Sequence, residues 1–411
     1  MKCLKNQNLN GKKMIQSPPT LKILMMSPAY YPSQGGVQVE IRLLVNYLVK
    51  RGYQITLITQ EIPNVQTIEK LNGVHIFRLP GSRITLDPWN GFFFIRKNSM
   101  EIKKIMEDEK IDIIHVHHFD LSCPYVYLLK KMFKIPIIST VHASLLIDRE
   151  YLKFRSNFKE PFRWLLRIFP ILWFETKSIQ SSDYLITVSK NLEDLCKSLR
   201  KDDHIITIPN AINLHQFNPD IKPENFEIEE FKILCPGRIS PEKGQLYLVD
   251  ALKIVREKLP AQVIFMGSEH ANVLHSLKNR IHFLKLDEFI HFLPAQPYES
   301  IPRYYKAADL IVIPSLSESF GLAILENMAL GNVVVASNVG GIPNLIEDKK
   351  TGLLVPPANP QLLAEAIILA LTDAQLRENI KKNAIEKAQE YDIQTIVLDV
   401  ERCYRKTMNS G

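Results

Sequence analysis

Short apolar runs alternate with helically spaced apolar residues through the first half of the chain. The apolar run at residues 21–26 predicts a buried strand, and a loop containing Gly35-Gly36 follows it. Apolar residues then recur at helical spacing from Val37 until Gly52, a residue typical of a helix C-terminus. The next strand is predicted at residues 54–59, so the unit is a βαβ crossover. The pattern predicts further strands at residues 111–116, 135–140 and 184–188.

A second series of the same kind follows a stretch that contains Pro219, Pro223 and several glutamates. Helical segments such as 245–259 and 321–329 separate its strands, and the sequence after about residue 361 is almost entirely helical in pattern. Together the two series predict an α/β protein with two facing, Rossmann-like doubly wound domains and a central cleft. The strands of the second series are predicted at residues 232–236, 262–266, 290–292, 310–314 and 333–337.

The chain length of 411 residues is enough for two or three domains at roughly 150 residues each. We expect a flexible N-terminal tail and an N-terminal Rossmann-like domain, then a linker and a C-terminal Rossmann-like domain. A C-terminal helix that could cross back to the first domain follows. The expected boundaries are 1–20, 21–213, 214–230, 231–390 and 391–411.

The overall composition is that of a soluble globular protein, with 46% hydrophobic and 23% charged residues. Disordered, collagen-like and coiled-coil classes are excluded. The apolar runs are too short to predict a spanning helix, and the polar, lysine-bearing start predicts no secretory signal. The five scattered cysteines contain no CxxC pair, which favours a reducing compartment. We therefore expect a cytoplasmic protein.

The net charge of +7 is unevenly placed. Residues 1–213 carry 30 basic and 19 acidic side chains, a balance of +11, whereas residues 214–411 carry 21 and 25, a balance of −4. Such a basic half indicates contact with a polyanion, either an anionic membrane surface or a nucleic acid. A merely solvated, lysine-rich surface would give the same balance.

A segment at residues 158–174 interleaves two tryptophans with arginines. Trp164 and Trp173 stand near Arg163 and Arg167, the composition of a helix that lies in a membrane interface. The alternative is a core helix whose arginines reach out to solvent. The first alternative would place the protein peripherally on the inner face of the plasma membrane.

Several nucleotide-binding motifs are missing from the sequence. No two glycines are one residue apart, so GxGxxG is absent, and no Gly-Lys-Ser/Thr or DxD occurs. These absences count against a dehydrogenase, a P-loop NTPase and a metal-dependent nucleotide-sugar transferase. We therefore expect no metal site and no cofactor.

Two charged segments in the second half of the chain have the residue types of a ligand-binding site. In Cys235-Pro-Gly-Arg238-Ile-Ser-Pro-Glu-Lys243-Gly244, two cations stand at the start of a helix and could clamp a pyrophosphate, although a solvated basic turn is the alternative. In Glu318-x7-Glu326, one carboxylate follows a strand and the other lies on the next helix. Both carboxylates could face the crevice at the carboxyl ends of the strands and bind hydroxyl pairs.

Four histidines in the first half allow two interpretations. His115 and His117 alternate on one strand face, and His118 and His142 stand nearby in the pattern. A zinc site needs three or four ligands in fixed geometry, so histidines that line a sugar pocket are the favoured interpretation. For His142, purely structural hydrogen bonding is the alternative.

The motifs of the second half resemble those of the retaining glycosyltransferases of family 4 (group 1), which have the GT-B fold. Glu318-x7-Glu326, Arg238 and Lys243 carry the resemblance together with Gly340-Gly341-Ile-Pro343. It runs from residue 21 to about residue 390. Supporting matches are Tyr304-Tyr305-Lys-Ala-Ala-Asp309, Pro314-Ser315, Thr351-Gly352-Leu-Leu-Val-Pro356 and, more loosely, Gly35-Gly36-Val37, Asp112-Ile-Ile-His115-Val-His117, Val141-His142 and Pro209-Asn210.

The resemblance implies that the N-terminal domain is the acceptor side and that the C-terminal domain binds the nucleotide sugar. It also implies a role for each matching residue. Glu318 would bind hydroxyls of the donor sugar, Glu326 would bind the ribose, and His142 would lie near the reacting sugar. Arg238 and Lys243 would neutralise the leaving diphosphate. Backbone groups would complete the donor site, with N–H groups from Ser319, Phe320, Gly321 and Leu322 and a close approach to the diphosphate from Gly35 and Gly36.

Two departures from the family pattern bear on these roles. Asn210-Ala-Ile-Asn213 stands where the family usually has Asn-Gly-Val-Asp, which affects little beyond a turn. Gly267-Ser-Glu269 replaces a glycine-rich G-x-G near the nucleotide base. The identity of the base therefore stays open, and both UDP and GDP sugars are candidate donors.

The resulting hypothesis is a metal-independent, retaining hexosyltransferase that moves a sugar from a nucleotide sugar to an acceptor hydroxyl. The acceptor would be a glycan or a lipid-linked molecule in cell-envelope glycan, polysaccharide or glycolipid synthesis. The alternatives are a nucleotide-sugar epimerase or phosphorylase on the same fold, and a non-catalytic nucleotide-sugar-binding protein. A nucleic-acid-binding protein is disfavoured because the sequence lacks the stacking aromatic motifs that it would need.

Overall fold

Two sheets with helices on both faces form the protein. The computed structural model describes residues 21–33, 35–81, 88–118, 125–144, 161–269 and 271–409. The predicted tail at residues 1–20 lies outside the described residues. Both doubly wound sheets that the apolar pattern predicts are confirmed.

The first sheet has eight strands in the order β3-β4-β2-β1-β5-β6-β7-β8, all parallel except the antiparallel pair β3 and β4. Its elements in chain order are β1 (Lys22–Met26), α1 (Gly36–Lys50), β2 (Gln54–Gln60), β3 (Ile68–Leu71), β4 (Val74–Leu79), α2 (Pro88–Lys97), α3 (Ser99–Glu109), β5 (Ile113–His118), α4 (Tyr125–Met132), β6 (Ile137–Val141), α5 (Pro161–Ser181), β7 (Tyr184–Thr187), α6 (Lys190–Leu199) and β8 (Ile205–Thr207).

Burial on both faces explains why strand β1 reads as a continuous apolar run. Ile23 and Met25 pack into the hydrophobic core on one face of the sheet, and Leu24 and Met26 pack into a separate core on the other face. Successive side chains of a strand point to opposite faces, so a parallel strand that is covered on both sides needs apolar residues at every position.

The apolar pattern missed the β3–β4 hairpin at one edge of the first sheet. Most of β3 is solvent-exposed, so it has no apolar run to detect. The hairpin turns at Asn72-Gly73, with φ of 50° and 84°, the left-handed conformation that a two-residue turn of this kind requires. The dipeptide Asn-Gly was therefore the available signal.

The second sheet has six parallel strands in the order β11-β10-β9-β12-β13-β14. Strand β9 lies between β10 and β12, so the strand order reverses there and a crevice opens at the carboxyl ends of β9 and β12. The elements are β9 (Phe231–Pro236), α7 (Gln245–Val255), β10 (Ala261–Met266), α8 (Ala271–Phe283), β11 (Ile290–Leu293), α9 (Ile301–Lys306), β12 (Leu310–Ile313), α10 (Leu322–Ala329), β13 (Val334–Ser337), α11 (Ile342–Leu345), β14 (Leu353–Val355), α12 (Pro360–Thr372), α13 (Ala374–Ala388) and α14 (Ile393–Asn409).

The last helix, α14, packs against the first sheet's helix α1. Its buried residues share a hydrophobic core with Ile23 and Met25, and the Tyr404 hydroxyl lies 2.8 Å from Nδ1 of His115 on β5. A buried carboxylate on the same helix, Glu401, forms an ion pair with Arg51. The chain thus returns from the second sheet to the first.

None of the helices in the described part of the chain is both long enough and apolar enough to cross a bilayer.

Candidate functional site

Two loops meet at the crevice of the second sheet. One follows β9 and contains residues 237–244, and the other follows β12 and contains residues 314–321. Gly244 has φ of +65°, and a Cβ atom there would lie 2.0 Å from the carbonyl oxygen of Pro314. The Leu316 N–H also donates to the carbonyl of Glu242 at 2.8 Å. Glycine at position 244 therefore lets the two loops pack backbone against backbone.

This packing brings Lys243 and Glu318 together. Lys243 Nζ lies 2.6 Å from Glu318 Oε2, and the side chains are 26% and 18% exposed. Desolvation acts to lower the pKa of Lys243, but the Glu318 carboxylate outweighs it and holds that pKa above its ordinary value. The ammonium therefore stays charged at the crevice, and its three donors leave it able to bind a further acceptor.

Arg238 lies in the same loop and is more exposed. Its Nη2 donates to Glu242 Oε1 at 2.9 Å, and that carboxylate also accepts from Ser240 Oγ at 2.6 Å. Burial acts to raise the pKa of Glu242, but the hydrogen bond from Ser240 and the charge of Arg238 lower it further than burial raises it. Residues Pro241–Lys243 form a short 3-10 turn, so helix α7 begins just after the two cations.

The loop of Glu318 is supported from behind by two glycines. A Cβ atom at Gly340 would lie 1.9 Å from the carbonyl oxygen of Glu318, and one at Gly341 would lie 2.2 Å from that of Ser319. The Gly341 N–H donates to the Glu318 carbonyl at 2.8 Å. The first sheet's helix α6 also reaches this point, where Asn191 Nδ2 donates to the carbonyl of Gly340 at 2.6 Å.

Helix α10 starts directly after this loop. Gly321 precedes it with φ of +100°, a conformation that favours glycine, and the first helical N–H groups begin at Leu322. The Phe320 side chain is buried, with its ring centroid 6.1 Å from that of Tyr391. Phe320 therefore anchors the loop through its ring and leaves only its backbone for a ligand.

The Glu326 side chain is buried, whereas its spacing from Glu318 predicts that it faces the open crevice. It is only 3% exposed, and its Oε1 accepts a hydrogen bond from the Tyr298 hydroxyl at 3.0 Å. Desolvation raises the pKa of Glu326 to about 8, although hydrogen bonds from Tyr298 and Tyr305 act to lower it. The carboxylate thus faces tyrosine hydroxyls rather than solvent.

In the first domain, the Gly35-Gly36 turn lies at the start of helix α1. Among the described residues, no side chain caps this helix, and no acidic residue lies in its first turn. A Cβ atom at Gly36 would meet no atom of the described residues within 4 Å, so the space in front of the backbone is open on their side. Uncapped N–H groups at such a helix start favour an anion.

The histidines form a buried row. His142 Nε2 lies 3.2 Å from Nδ1 of His117, and their rings stack at 5.5 Å. His115 is fully buried, and its ring nitrogens lie 2.8 Å from the hydroxyls of Thr140 and Tyr404. The interpretation that His115 lines a sugar pocket is therefore wrong: its ring is enclosed by the sheet and by helix α14.

Metal ligation finds no support in the part of the chain that the structure describes. There, no group of three or more histidine, cysteine, aspartate or glutamate side chains is arranged to hold a metal ion. The side chain of His118, the remaining histidine of the predicted set, lies outside the described residues.

A cavity of about 720 Å³ opens at the opposite edge of the second sheet, near the amino-terminal ends of β9, β12 and β13. Two of the cations that line it donate to backbone carbonyls: Lys306 donates to Leu330 at 3.0 Å, and Arg377 donates to Ala370 at 3.0 Å. A third, Lys381, forms an ion pair with Glu378 at 2.9 Å. The cavity is remote from Lys243 and Glu318.

Three residues near the site were not identified from the sequence. Asn191, Tyr298 and Arg42 each lie where the two domains meet, and none belongs to a periodic pattern or a charged motif. Only the fold brings them beside the predicted residues.

Comparison with protein families covers most of the chain. The Glycosyltransferase Family 4 model matches residues 34–216, and the Glycosyl transferases group 1 model matches residues 216–387. An uncharacterised glycosyltransferase of Methanocaldococcus jannaschii is 30% identical over 406 residues, which cover 94% of this chain and 99% of that protein. A D-inositol 3-phosphate glycosyltransferase of Jonesia denitrificans is 26% identical over 428 residues, covering 96% of this chain and 98% of that protein.

Solved structures show the same fold. A sucrose-phosphate synthase from Thermosynechococcus elongatus superposes with a TM-score of 0.82 at 24% identity, covering 95% of this chain and 100% of that one. HepE of Anabaena, in complex with UDP-glucose, gives a TM-score of 0.74 at 19% identity, covering 94% and 100%. The resemblance noted in the motifs is confirmed. The chain belongs to the family 4 (group 1) glycosyltransferases, has the GT-B fold, and is an enzyme that transfers a sugar from a nucleotide sugar.

Proposed function

We propose that the crevice formed by Arg238, Lys243 and Glu318 binds the donor, and that the sugar moves to an acceptor hydroxyl with retention at the anomeric carbon. The observation that carries this proposal is the 2.6 Å contact between Lys243 and Glu318 at the point of strand reversal. One group suits phosphate and the other suits sugar hydroxyls, and both lie at the same edge of the sheet.

In this proposal the two cations stabilise the departing diphosphate. Lys243 has donors to spare while it holds Glu318, and the exposed Arg238 presents a planar fork that matches phosphate. These donors are already in place when negative charge develops on the leaving oxygen. One such preorganised donor stabilises the transition state by about 2–4 kcal/mol. No protein nucleophile is assigned.

Glu318 would accept hydrogen bonds from hydroxyls of the donor sugar. Its loop is fixed from behind by Gly340 and Gly341, so its carboxylate is positioned without support from the ligand. The backbone N–H groups of residues 319–322 would face the sugar and phosphate, and His142 would lie beside the reacting sugar. These assignments come from the family resemblance.

Glu326 would bind the ribose, and the Gly35-Gly36 turn would bind the diphosphate. Glu326 would bind the ribose hydroxyls while its Oε1 accepts the hydrogen bond from the Tyr298 hydroxyl. The open space at Gly36 and the uncapped start of α1 would let the diphosphate approach from the first domain. Closure of the cleft would then place the donor between the two sheets.

UDP-glucose is the first donor to examine. HepE of Anabaena has been crystallised with UDP-glucose and shares this fold, although at 19% identity it does not fix the donor of this protein. GDP sugars stay in the comparison because the segment Gly267-Ser-Glu269 near the base departs from the family pattern.

A lipid-linked acceptor at an anionic membrane is the finer part of the proposal. Helix α5 exposes Phe169 by 70% and Trp173 by 41%, and the Trp173 ring packs on Tyr127 at 5.6 Å. Lys131 Nζ lies 4.4 Å from that Tyr127 ring, so aromatic and basic groups share one surface. Such a surface suits the interface of an anionic bilayer. Of the predicted interface group, the side chains of Arg163, Trp164 and Arg167 lie outside the described residues.

Proton NMR of the transfer reaction tests the stereochemical part. The α-anomeric proton signal of UDP-glucose, or of the preferred donor from a panel of UDP and GDP sugars, should be replaced by that of an α-linked product. A β-linked product formed directly from an α-linked donor would overturn retention. Equilibration of the donor with its epimer, without any acceptor product, would favour the epimerase alternative.

A further inference from the structure

Arg42 lies on the seam between the two domains. It belongs to helix α1, and its Nη2 donates to Glu299 Oε1 at 2.6 Å, in the loop between β11 and α9. Its guanidinium carbon lies 5.9 Å from the ring centroid of Tyr298 and 5.5 Å from that of Tyr31. One side chain of the first domain thus contacts two consecutive residues of the second.

The position of Tyr298 is fixed from three directions. Its ring lies 5.6 Å from that of the fully buried Phe217, and its carbonyl accepts from Gln216 Nε2 at 3.1 Å. Arg42 covers the ring from the first domain. The hydroxyl then points at Glu326 and donates to it at 3.0 Å. A continuous path of contacts therefore joins helix α1 to this carboxylate.

From these contacts we propose that Arg42 is a positioning residue for the donor site. By holding Tyr298 it sets the orientation of the Glu326 carboxylate, so that the approach of the two domains is coupled to recognition of the ribose. This inference rests on the proposed function, because it takes Glu326 as the group that binds the ribose hydroxyls.

The chemistry of arginine suits this position better than that of lysine. A planar guanidinium can lie against two aromatic rings while its N–H groups donate to a carboxylate, whereas an ammonium is a point charge. Glu299 is 68% exposed, so salt screens that pair. The contact with the Tyr298 ring is therefore the part that should keep the tyrosine in place at physiological ionic strength.

A purely structural role for Arg42 makes a different prediction. A residue that only stabilises the seam would weaken the binding of every nucleotide equally when it is replaced. A positioning residue that acts through Glu326 should weaken only those ligands that carry ribose hydroxyls. The two roles separate when ligands with and without these hydroxyls are compared.

The experiment measures dissociation constants by titration calorimetry on the full chain. The ligands are UDP, GDP and ADP, each paired with its 2′,3′-dideoxy counterpart. The proteins are the wild type, Arg42→Met, Arg42→Lys, Tyr298→Phe and Glu326→Gln. Arg303→Met serves as the matched control, because Arg303 is an ion-paired arginine on the neighbouring helix α9 that contacts Glu224 at 3.1 Å.

We expect the wild type to prefer the ribonucleotide, and Glu326→Gln to lose that preference. Arg42→Met and Tyr298→Phe should reduce the preference about tenfold, a size in keeping with the loss of one hydrogen bond, and leave dideoxynucleotide affinity unchanged. Arg42→Lys should fall between wild type and Arg42→Met, and Arg303→Met should behave as the wild type.

Each contrary result has its own meaning. If Glu326→Gln loses the preference but Arg42→Met and Arg42→Lys keep it, the inference is wrong and the proposed donor site stands. Equal weakening of both ligands by Arg42→Met also overturns the inference, in favour of a structural role. A wild type without preference, or one that binds none of the three nucleotides, overturns the ribose assignment of Glu326 and this inference with it.

Discussion

Lys243 Nζ and Glu318 Oε2 lie 2.6 Å apart, although 75 positions separate the two residues in the chain. Each stands in a loop that follows one of two adjacent strands, β9 and β12, where the order of the second sheet reverses. The glycines at 244 and 340 make this contact possible, because a Cβ atom at either position would overlap a backbone carbonyl.

Lys243→Ala should lower kcat/KM for sugar transfer by about 30- to 1000-fold, which corresponds to about 2–4 kcal/mol of lost transition-state stabilisation. Steady-state kinetics with the preferred donor measures this loss. Lys253→Ala removes an exposed lysine from helix α7 and is the matched control, with turnover expected at the wild-type level. Full turnover by Lys243→Ala would refute the diphosphate assignment.

Two glycine substitutions should differ in whether they destabilise the fold or only weaken donor binding. Gly340→Ala places a Cβ atom 1.9 Å from the Glu318 carbonyl at a φ of +52°, so the free energy of unfolding and the activity should both fall. In Gly36→Ala the new Cβ atom meets no atom of the described part of the chain within 4 Å, so folding should be unaffected while the KM for the donor rises.

Urea unfolding and donor kinetics on both glycine variants check this contrast. A Gly36→Ala enzyme with wild-type KM would show that the diphosphate does not approach this turn. A Gly340→Ala protein with wild-type stability would show that the loop of Glu318 relaxes without cost.

The free energy of unfolding should fall as pH rises between about 5 and 8. Burial raises the pKa of both Glu40 and Glu326 to about 8 in the folded protein, from 4.5. Within this window the unfolded chain has lost these protons and the folded protein keeps them, so raising the pH favours unfolding. Each group contributes a slope of at most ~1.4 kcal/mol per pH unit.

Urea denaturation of Glu326→Gln at pH 5, 6, 7 and 8 isolates one of the two contributions. The slope against pH should become shallower than that of the wild type. Glu365→Gln, at an exposed glutamate on helix α12, should leave the slope unchanged. Parallel slopes for wild type and Glu326→Gln would contradict a raised pKa for Glu326.

Sugar transfer should continue in the presence of EDTA. The sequence lacks the DxD pair with which many nucleotide-sugar enzymes hold a divalent cation, and in the proposed donor site Arg238 and Lys243 would supply positive charge at the diphosphate instead. Initial rates with EDTA, and with added Mg²⁺ or Mn²⁺, measure this. Complete loss of transfer in EDTA, restored by either metal, would show that the two cations are not sufficient.

Binding to anionic vesicles should weaken, but not vanish, between low and physiological salt. Basic residues near an anionic surface gain about 1 kcal/mol each, and salt screens this attraction. Insertion of Phe169 and Trp173 adds a part that salt does not remove. Vesicle sedimentation with phosphatidylserine mixtures and with neutral phosphatidylcholine separates the two parts.

The double variant Phe169→Ala, Trp173→Ala should lose the salt-resistant binding and keep donor hydrolysis. Phe283→Ala, which removes a 74%-exposed aromatic side chain from helix α8 of the second domain, is the control and should bind vesicles as the wild type does. Equal sedimentation with anionic and neutral vesicles at low salt would favour a soluble acceptor.

The apolar pattern predicted most strands of both sheets, because most of these are covered on both faces and have few polar positions. It missed β3, whose side chains are mostly exposed, and β4, whose buried residues alternate with partly exposed ones over its first four positions. It also missed β8 and β14, whose three residues give too little pattern to detect. Hydrophobic patterning therefore detects continuous apolar runs and not strand formation as such.

The charged motifs predicted two loops that the structure brings together, but not the contacts between them. The spacing of Glu318 and Glu326 placed them on one loop and helix, yet only the fold shows that Glu326 lies under the Tyr298 hydroxyl. His115 was placed at a pocket because it alternates with His117, but helix α14 returns from the end of the chain to cover it. Contacts between distant segments leave no local pattern in the sequence.

Mass spectrometry of the transfer reaction tests the central claim most directly. Wild-type protein and Glu318→Gln are incubated with a panel of UDP and GDP sugars together with free and lipid-linked acceptors. The wild type should add one sugar mass to an acceptor and release an equal amount of nucleoside diphosphate. Glu318→Gln should still bind the nucleotide but lose most of this transfer. Transfer by Glu318→Gln at the wild-type rate would contradict the account, because the carboxylate paired with Lys243 would then have no part in the reaction.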